Sequence, residues 1–221
     1  MHTSIFARTR HSHLAVALAA LCLPGCDLPA DNGGDGGDGD HIFALAEEYA
    51  DRLQALEDRD AIREVAACYG RGHDVIFTDL GGPKTEAFDI LSTCFTPDVH
   101  TDVYFFDDPL PVASLDGLVE LVGFIEQFAI DTGYTSARNV VGDVQIELHE
   151  DDTAFMVSAT ATPHFIQPVD PAAVEPTVDL VTARYEDHLV RDDDGTWRTQ
   201  TKVLRLDDFW RGQGSYPLGG Q

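Results

Sequence analysis

Basic residues are scarce in this chain. Lys and Arg number 14 against 39 Asp and Glu, a formal charge of −25 over 221 residues. A surface that tracks a phosphate backbone needs clustered cations, so nucleic acid is excluded as a partner. The acids read as a solvated surface that favours solubility and repels anionic surfaces. A bilayer-spanning run is also missing. The apolar stretch Leu14–Leu23 (LAVALAALCL) falls short of the ~18–20 residues that cross a membrane as a helix. There is no phosphate loop, no dinucleotide fingerprint and no paired His/Cys set at metal spacing, so neither a cofactor nor a metal is expected. The adjacent His149, Glu150, Asp151 and Asp152 suit a surface turn better than a metal site. The single GGDGGD (Gly33–Asp38) is one copy of a Ca²⁺-binding pattern that needs several stacked copies, and it reads as linker. No internal repeat is present. What the chain does have is apolar content of 43 %, ample for a folded core.

The first residues read as an export signal. Arg8 and Arg10 give a positive start, Leu14–Leu23 an apolar middle, and Leu23-Pro24-Gly25-Cys26 resembles a bacterial lipobox. In such signals the cysteine thiol takes the lipid and becomes the new N-terminus, so Cys26 is the candidate lipidation site. The alternative is an ordinary cut nearby, for instance after Ala30. Removal of residues 1–25 takes away two arginines and no acid, which moves the charge from −25 to −27. Two or three acyl chains would hold the body at a membrane, where one is marginal. The Asp/Gly-rich stretch after Cys26 cannot bury a core and reads as a spacer. The expected divisions are 1–25 signal, 26–41 lipidated cysteine and linker, 42–207 folded domain and 208–221 tail. Of four cysteines, Cys68 and Cys94 are left for the folded part in an oxidising compartment. They could pair, or serve as small apolar residues on helices.

From Ile42 the pattern is helical: Ile42, Leu45, Ala46, Tyr49, Leu53 and Leu56, then Ile62, Val65, Ala66 and Tyr69, recur at three- and four-residue steps. Gly70 and Gly72 are expected to end the helix. Thr85 can cap a second helix that buries Phe88, Leu91 and Phe95. Thr96-Pro97-Asp98 reads as a turn, Val99–Phe106 as a strand, Asp107-Asp108-Pro109 as its end, and Ser114 as the start of a third helix. The second half is strand: Ala137–His149, Thr153–Phe165, Val178–Arg191 and Trp197–Asp207. Turns at Glu150-Asp151-Asp152 and Asp194-Gly195 and a Pro-rich loop, Gln167–Thr177, connect them. Helices followed by antiparallel strands make an α+β protein. A long curved sheet wrapped over three helices would leave a conical cavity.

LEDRDAIREVAACYGRGHD (Leu56–Asp74), LSTCFTPDV (Leu91–Val99), SARNVVGDVQIE (Ser136–Glu147) and ARYEDHLVRDDDGTWR (Ala183–Arg198) resemble the SnoaL-like group of the nuclear-transport-factor-2-like superfamily. The resemblance runs from about Leu53 to Asp207. It implies a cone-shaped α+β barrel, with three helices packed on a curved antiparallel or mixed sheet. It also implies a pocket for a small apolar molecule, frequent homodimers through the sheet, and, where members are enzymes, acid–base chemistry on ring-shaped substrates without cofactor. The fold hosts cyclases, dehydratases, isomerases and non-catalytic binders, so it does not fix the function.

Several residues could carry chemistry. Tyr69 and Asp74 match the superfamily's helix-one tyrosine and the aspartate five positions later. Ketosteroid isomerases of this superfamily pair such a tyrosine with an aspartate base, the phenol donating to an oxyanion and the carboxylate moving a proton. The plainer alternative is a satisfied core tyrosine and a capping aspartate. A second carboxylate could be Asp108, before Pro109 as in the isomerases, or Asp102, nearer the expected distance from Phe95. Asn139 stands where many SnoaL-like chains have a histidine; an amide can orient a carbonyl but cannot move a proton. His164 and His100 are the substitutes, each on a strand. Tyr185, Asp187 and Thr201 line a pocket if they face inward, a choice that a one-residue register error reverses. Three readings stay open. One is a lipid-anchored extracytoplasmic domain, at the bacterial cell envelope, that binds a small apolar molecule. The second is a cofactor-independent isomerase, cyclase or dehydratase. The third is an interaction domain using the outer sheet face.

Overall fold

The structure, a computed structural model, describes residues 37–166 and 177–212. The chain packs as two units, 1–47 and 48–221. Of the first, residues 37–47 are described and form the opening turns of a helix. The second unit carries the sheet and the pocket. The stretch read as an export signal with its lipobox-like end at Cys26, the Pro-rich segment 167–176 and residues 213–221 lie outside the described residues.

Helix α1 spans Gly37–Thr78. It therefore starts inside the stretch read as spacer and runs through Gly70 and Gly72 instead of ending there. The reason at Gly72 is close packing: a Cβ on it would lie 2.5 Å from Cδ2 of the fully buried Leu91. Tyr49, Leu53 and Leu56 are exposed, and burial of the apolar stripe begins at Ile62. Helix α2 spans Thr85–Leu91. Its cap is Lys84, in the left-handed region at φ 54°, and not Thr85. The Lys84 ammonium donates to the carbonyl of Asp79 and pairs with Glu126 at 2.9 Å, which ties the turn to the third helix.

Strand β1 spans Phe95–Phe105. Thr96-Pro97-Asp98 lies within it, not in a turn, and a bulge between Phe95 and His100 accommodates the proline. β2 (Ala113–Asp116) comes next, so Ser114 sits in a strand, where its hydroxyl donates to Asp102 at 2.5 Å. Helix α3 starts only at Gly117 and ends at Thr132. The remaining strands are β3 (Ser136–Ala137), β4 (Val140–Leu148), β5 (Thr153–Ile166), β6 (Thr177–Arg191) and β7 (Trp197–Gly212). β7 continues past Asp207 because its residues up to Gly212 pair with β6.

The seven strands form one sheet in the order β2-β1-β7-β6-β5-β3, with β4 also on β5. The pairing of β1 with β7 is parallel and the others are antiparallel. Further bulges at Gly142/Gln145, Thr182/Ala183 and His188/Leu189 bend the long strands into a curl. The three helices close its concave side. Strand alternation puts Ala183 and Leu189 of β6 and Leu204 of β7 inward, in one core cluster with Ile62, Val65 and Phe77 of α1 and Leu121 and Ile125 of α3. Each valine, leucine, isoleucine or phenylalanine among them stabilises the fold by roughly 1.5–3 kcal/mol when fully buried. Polar ties fix α1 on the sheet: Asp58 pairs with Arg191 and accepts from the Trp197 indole at 3.2 Å, and Arg59 donates to the carbonyl of Ile146 at 2.7 Å. No helix among the described residues is long and apolar enough to cross a membrane.

Candidate functional site

A pocket opens between α1, α3 and the concave face of the sheet. Its enclosed part is small, about 50 Å³ for the centres of water-sized molecules, and it opens to solvent at the mouth. Phe105, Phe124, Phe128, Val181 and Leu204 make it apolar; Tyr69, His73, Thr162, His164 and Tyr185 supply its polar atoms. These come from separate elements for a simple reason. On α1, residues four apart share a face, so His73 follows Tyr69 into the pocket. On β5 and β6, every second side chain points inward, which delivers Thr162 and His164, and Ala183 and Tyr185.

Tyr69 is buried, and its hydroxyl makes no well-aligned hydrogen bond among the described residues, though it lies close enough to the Tyr185 hydroxyl for the two to interact. Its ring meets Tyr185 edge-on at 5.2 Å. Burial, with the nearby Tyr185 and Asp187, raises its pKa well above the usual 10, so the phenol is a donor and not a phenolate. The Tyr185 hydroxyl accepts from the Asn139 amide at 3.2 Å. Beneath the two rings lies an ion pair. Lys202 Nζ is 3.1 and 3.2 Å from the two oxygens of Asp187, and both residues are buried. Burial lowers the lysine pKa and raises that of the aspartate.

The histidines form the other polar wall. The His73 and His164 rings stand 5.9 Å apart, nearly perpendicular. Both His164 nitrogens are buried and make no well-aligned hydrogen bond among the described residues, although the Thr162 backbone lies close to the ring; His73 Nδ1 also lacks one, with the Asp74 carboxylate 3.7 Å away. Burial, then the neighbouring His73, lowers the His164 pKa to about 3, so the ring is neutral at ordinary pH. Its flat face stacks on Tyr134 at 4.6 Å. Tyr134 donates to Asp179 at 2.9 Å, and Arg211 grips the same carboxylate with two hydrogen bonds of 3.0 and 3.1 Å. Among the described residues no group of three or more His, Cys, Asp or Glu could hold a metal ion.

A family described as the SnoaL-like domain matches residues 54–203. The chain belongs to it. No curated protein matches the chain. Solved structures with the same fold include hexachlorocyclohexane dehydrochlorinase LinA-type3 from Novosphingobium barchaimii, at 14 % identity and TM-score 0.56, covering 76 % of this chain and 99 % of that one. A candidate scytalone dehydratase from Novosphingobium aromaticivorans is 16 % identical at TM-score 0.52, covering 76 % and 97 %. A protein of Kribbella flavida is 20 % identical at 0.52, covering 71 % and 95 %. Identities this low show the fold alone.

Within this SnoaL-like domain the residues singled out from sequence separate. Tyr69, His164 and Tyr185 line the pocket. Asp74 does not: five positions after Tyr69 it is about 140° further round the helix. There it accepts the backbone N–H of Asn139 at 2.6 Å and pairs with Arg138 at 3.6 Å. Asn139 bridges Asp74 and Tyr185 from outside the lining. Asp102 lies on the outer side of β1, bonded to Ser114 and 3.4 Å from His100, which itself pairs with Asp116 at 2.7 Å. Asp108 is exposed in the loop after β1. Thr201 pairs opposite His188, on the outer face, whereas Asp187 faces in. Cys68 and Cys94 are joined by a disulfide that fastens α1 to the start of β1. His73 and Lys202 were missed. The four-residue step from Tyr69 would have found His73; nothing local marks Lys202 as inward.

Proposed function

We propose that the pocket binds a small, neutral, mainly apolar molecule that carries one hydrogen-bonding oxygen. The observation that carries this is the set of buried polar atoms without a well-aligned hydrogen bond around an apolar space: the Tyr69 hydroxyl and the two His164 nitrogens. Buried polar groups are nearly always paired, and a ligand oxygen would accept from the Tyr69 hydroxyl and from whichever His164 nitrogen carries the proton. Neutrality follows because the charges around the pocket are already matched, Lys202 with Asp187, Asp179 with Arg211 and Asp74 with Arg138. Binding is favoured over turnover by His164, because a neutral imidazole titrating near 3 donates a hydrogen bond to a ligand oxygen but carries protons poorly at neutral pH. Thermal unfolding with cyclohexanone and with methylenecyclohexane tests the reading. The ketone should raise the midpoint and the alkene should raise it less; no effect of either would sink it.

A second reading is favoured by His73, which lines the pocket with the Asp74 carboxylate 3.7 Å from its Nδ1. In that arrangement His73 takes a proton from carbon beside a carbonyl, the nearby Asp74 carboxylate stabilises the imidazolium that forms, and Tyr69 holds the developing enolate oxygen. The two relatives named for elimination chemistry, a dehydrochlorinase and a candidate dehydratase, share the fold in which such a site would sit. Deuterium uptake by cyclohexanone, abolished by His73→Gln, is the expected sign.

For location, we propose that Cys26 carries lipid and holds the domain at a bacterial envelope, through a leader of the lipobox pattern. A disulfide suits such an oxidising compartment. The outer sheet face is the surface through which a second copy would pair, or through which the domain would act as an interaction module. Sedimentation of the mature domain as a monomer at all concentrations would remove the dimer.

A further inference from the structure

The chain has two lysines, Lys84 and Lys202, and both are buried. Lysine is ordinarily exposed, because its ammonium is costly to desolvate. The work of Lys84 is plain, since it closes the turn before α2 on backbone carbonyls and Glu126. Lys202 makes no such backbone contact among the described residues. Its Nζ lies 4.3 Å from the centroid of the Tyr69 ring and 4.1 Å from that of Tyr185, while Asp187 holds it from the other side. One ammonium thus sits against the faces of both phenols that line the pocket. Packing alone does not account for it, because a buried ion pair is often no more stable than apolar residues of similar volume. A cation against an aromatic face draws on the electrons of the ring, which leaves the hydroxyl proton more positive.

We propose that Lys202 is a positioning residue of the pocket: clamped by Asp187, it fixes the Tyr69 and Tyr185 rings and polarises their hydroxyls as donors to an oxygen of the bound molecule. This rests on the pocket's reading as a site for an oxygen-bearing molecule. The groups that face the Tyr69 ring are His73 on α1 and Phe95 on β1, each at 6.0 Å, Tyr185 and Asp187 on β6, and Lys202 on β7. Lys202 is the cation that lies over the ring face.

The test needs no ligand. Tyrosine labelled with ¹³C at Cζ reports the polarisation of each hydroxyl, and six tyrosines can be assigned by Tyr→Phe variants. Lys202→Met with Asp187→Asn removes both charges and leaves no buried ion without its partner. In that variant the Tyr69 and Tyr185 Cζ signals should shift together while Tyr104 and Tyr134 stay. Lys202→Arg, which keeps a cation, should hold them near their original positions. Unmoved Tyr69 and Tyr185 signals in the folded double variant would overturn the proposal, as would an arginine variant that shifts them as far. If the double variant does not fold, the unsubstituted protein decides: the ε-methylene protons of Lys202 should be displaced upfield of those of Lys84, and coincident signals would overturn the geometry. Failure of cyclohexanone to bind would sink the functional reading and leave these shifts as measured.

Discussion

Tyr69 and His164 are the two residues on which the functional reading depends most. Replacing Tyr69 by Phe removes one hydroxyl that makes no well-aligned hydrogen bond among the described residues. The fold should be unharmed, and cyclohexanone binding should weaken by about 1–2 kcal/mol, the worth of one hydrogen bond. Calorimetric titration of the variant checks this; an unchanged affinity would make Tyr69 a core residue only. His164 makes a prediction through pH. Its ring is neutral in the folded protein down to about pH 3 but protonates near 6.5 when unfolded. Between those values the unfolded chain binds more protons, so stability falls as pH drops through this window, by up to roughly 1.4 kcal/mol per unit. Denaturant unfolding across that range should show a slope that His164→Gln flattens. An equal slope in the variant would mean that His164 is not held neutral. Both residues were legible in the sequence as candidates, Tyr69 from its helical stripe and His164 from its strand. The carboxylates were less so. A phase of one or two residues decides which way a side chain points, and on that margin Asp74 and Asp102 leave the pocket.

At the scale of elements, α1 shows where local signals lose to packing. Two glycines so close together, Gly70 and Gly72, ordinarily stop a helix. Here Gly72 lets Leu91 of α2 approach, and the helix continues to Thr78. Gly72→Ala gains helix propensity of up to about 1 kcal/mol but forces its methyl against Leu91, a fully buried side chain. Overpacking of this kind costs about 1–3 kcal/mol, so the variant should unfold at lower denaturant. A more stable variant would show that α1 and α2 are not in close contact. The strands were easier to read, because β5, β6 and β7 carry inward–outward alternation between clear turn residues. Two departures have physical causes. Pro97 is absorbed by a bulge, and the third helix begins after the short strand β2, whose pairing with β1 no local pattern reveals.

For the whole molecule, the α+β class and the curled sheet were legible because the order of periodic segments leaves few ways to bury them. The pocket's lining was not, because it depends on side chains from four strands and two helices that meet only in space. The disulfide acts on the molecule as a whole. Cys68 and Cys94 are 26 positions apart, and a loop of that length stabilises by about 3–4 kcal/mol through the unfolded chain. Cys68→Ala with Cys94→Ala should lower the unfolding free energy by that order, and reductant should have no further effect on the variant. The proposed attachment to a membrane would also be a property of the whole chain. Cys26→Ala should abolish lipid labelling and release the protein from membranes, whereas unchanged fractionation would end the lipoprotein proposal.

Everything proposed for the pocket depends on its receiving a neutral molecule through an oxygen. An NMR titration of the mature domain with cyclohexanone and, separately, with methylenecyclohexane, following the Tyr69 Cζ and His164 ring signals, addresses that point directly. Saturable shifts are expected at both residues with the ketone, and weaker or absent shifts with the alkene. Identical responses to the two, or none to either, would contradict an oxygen-directed pocket.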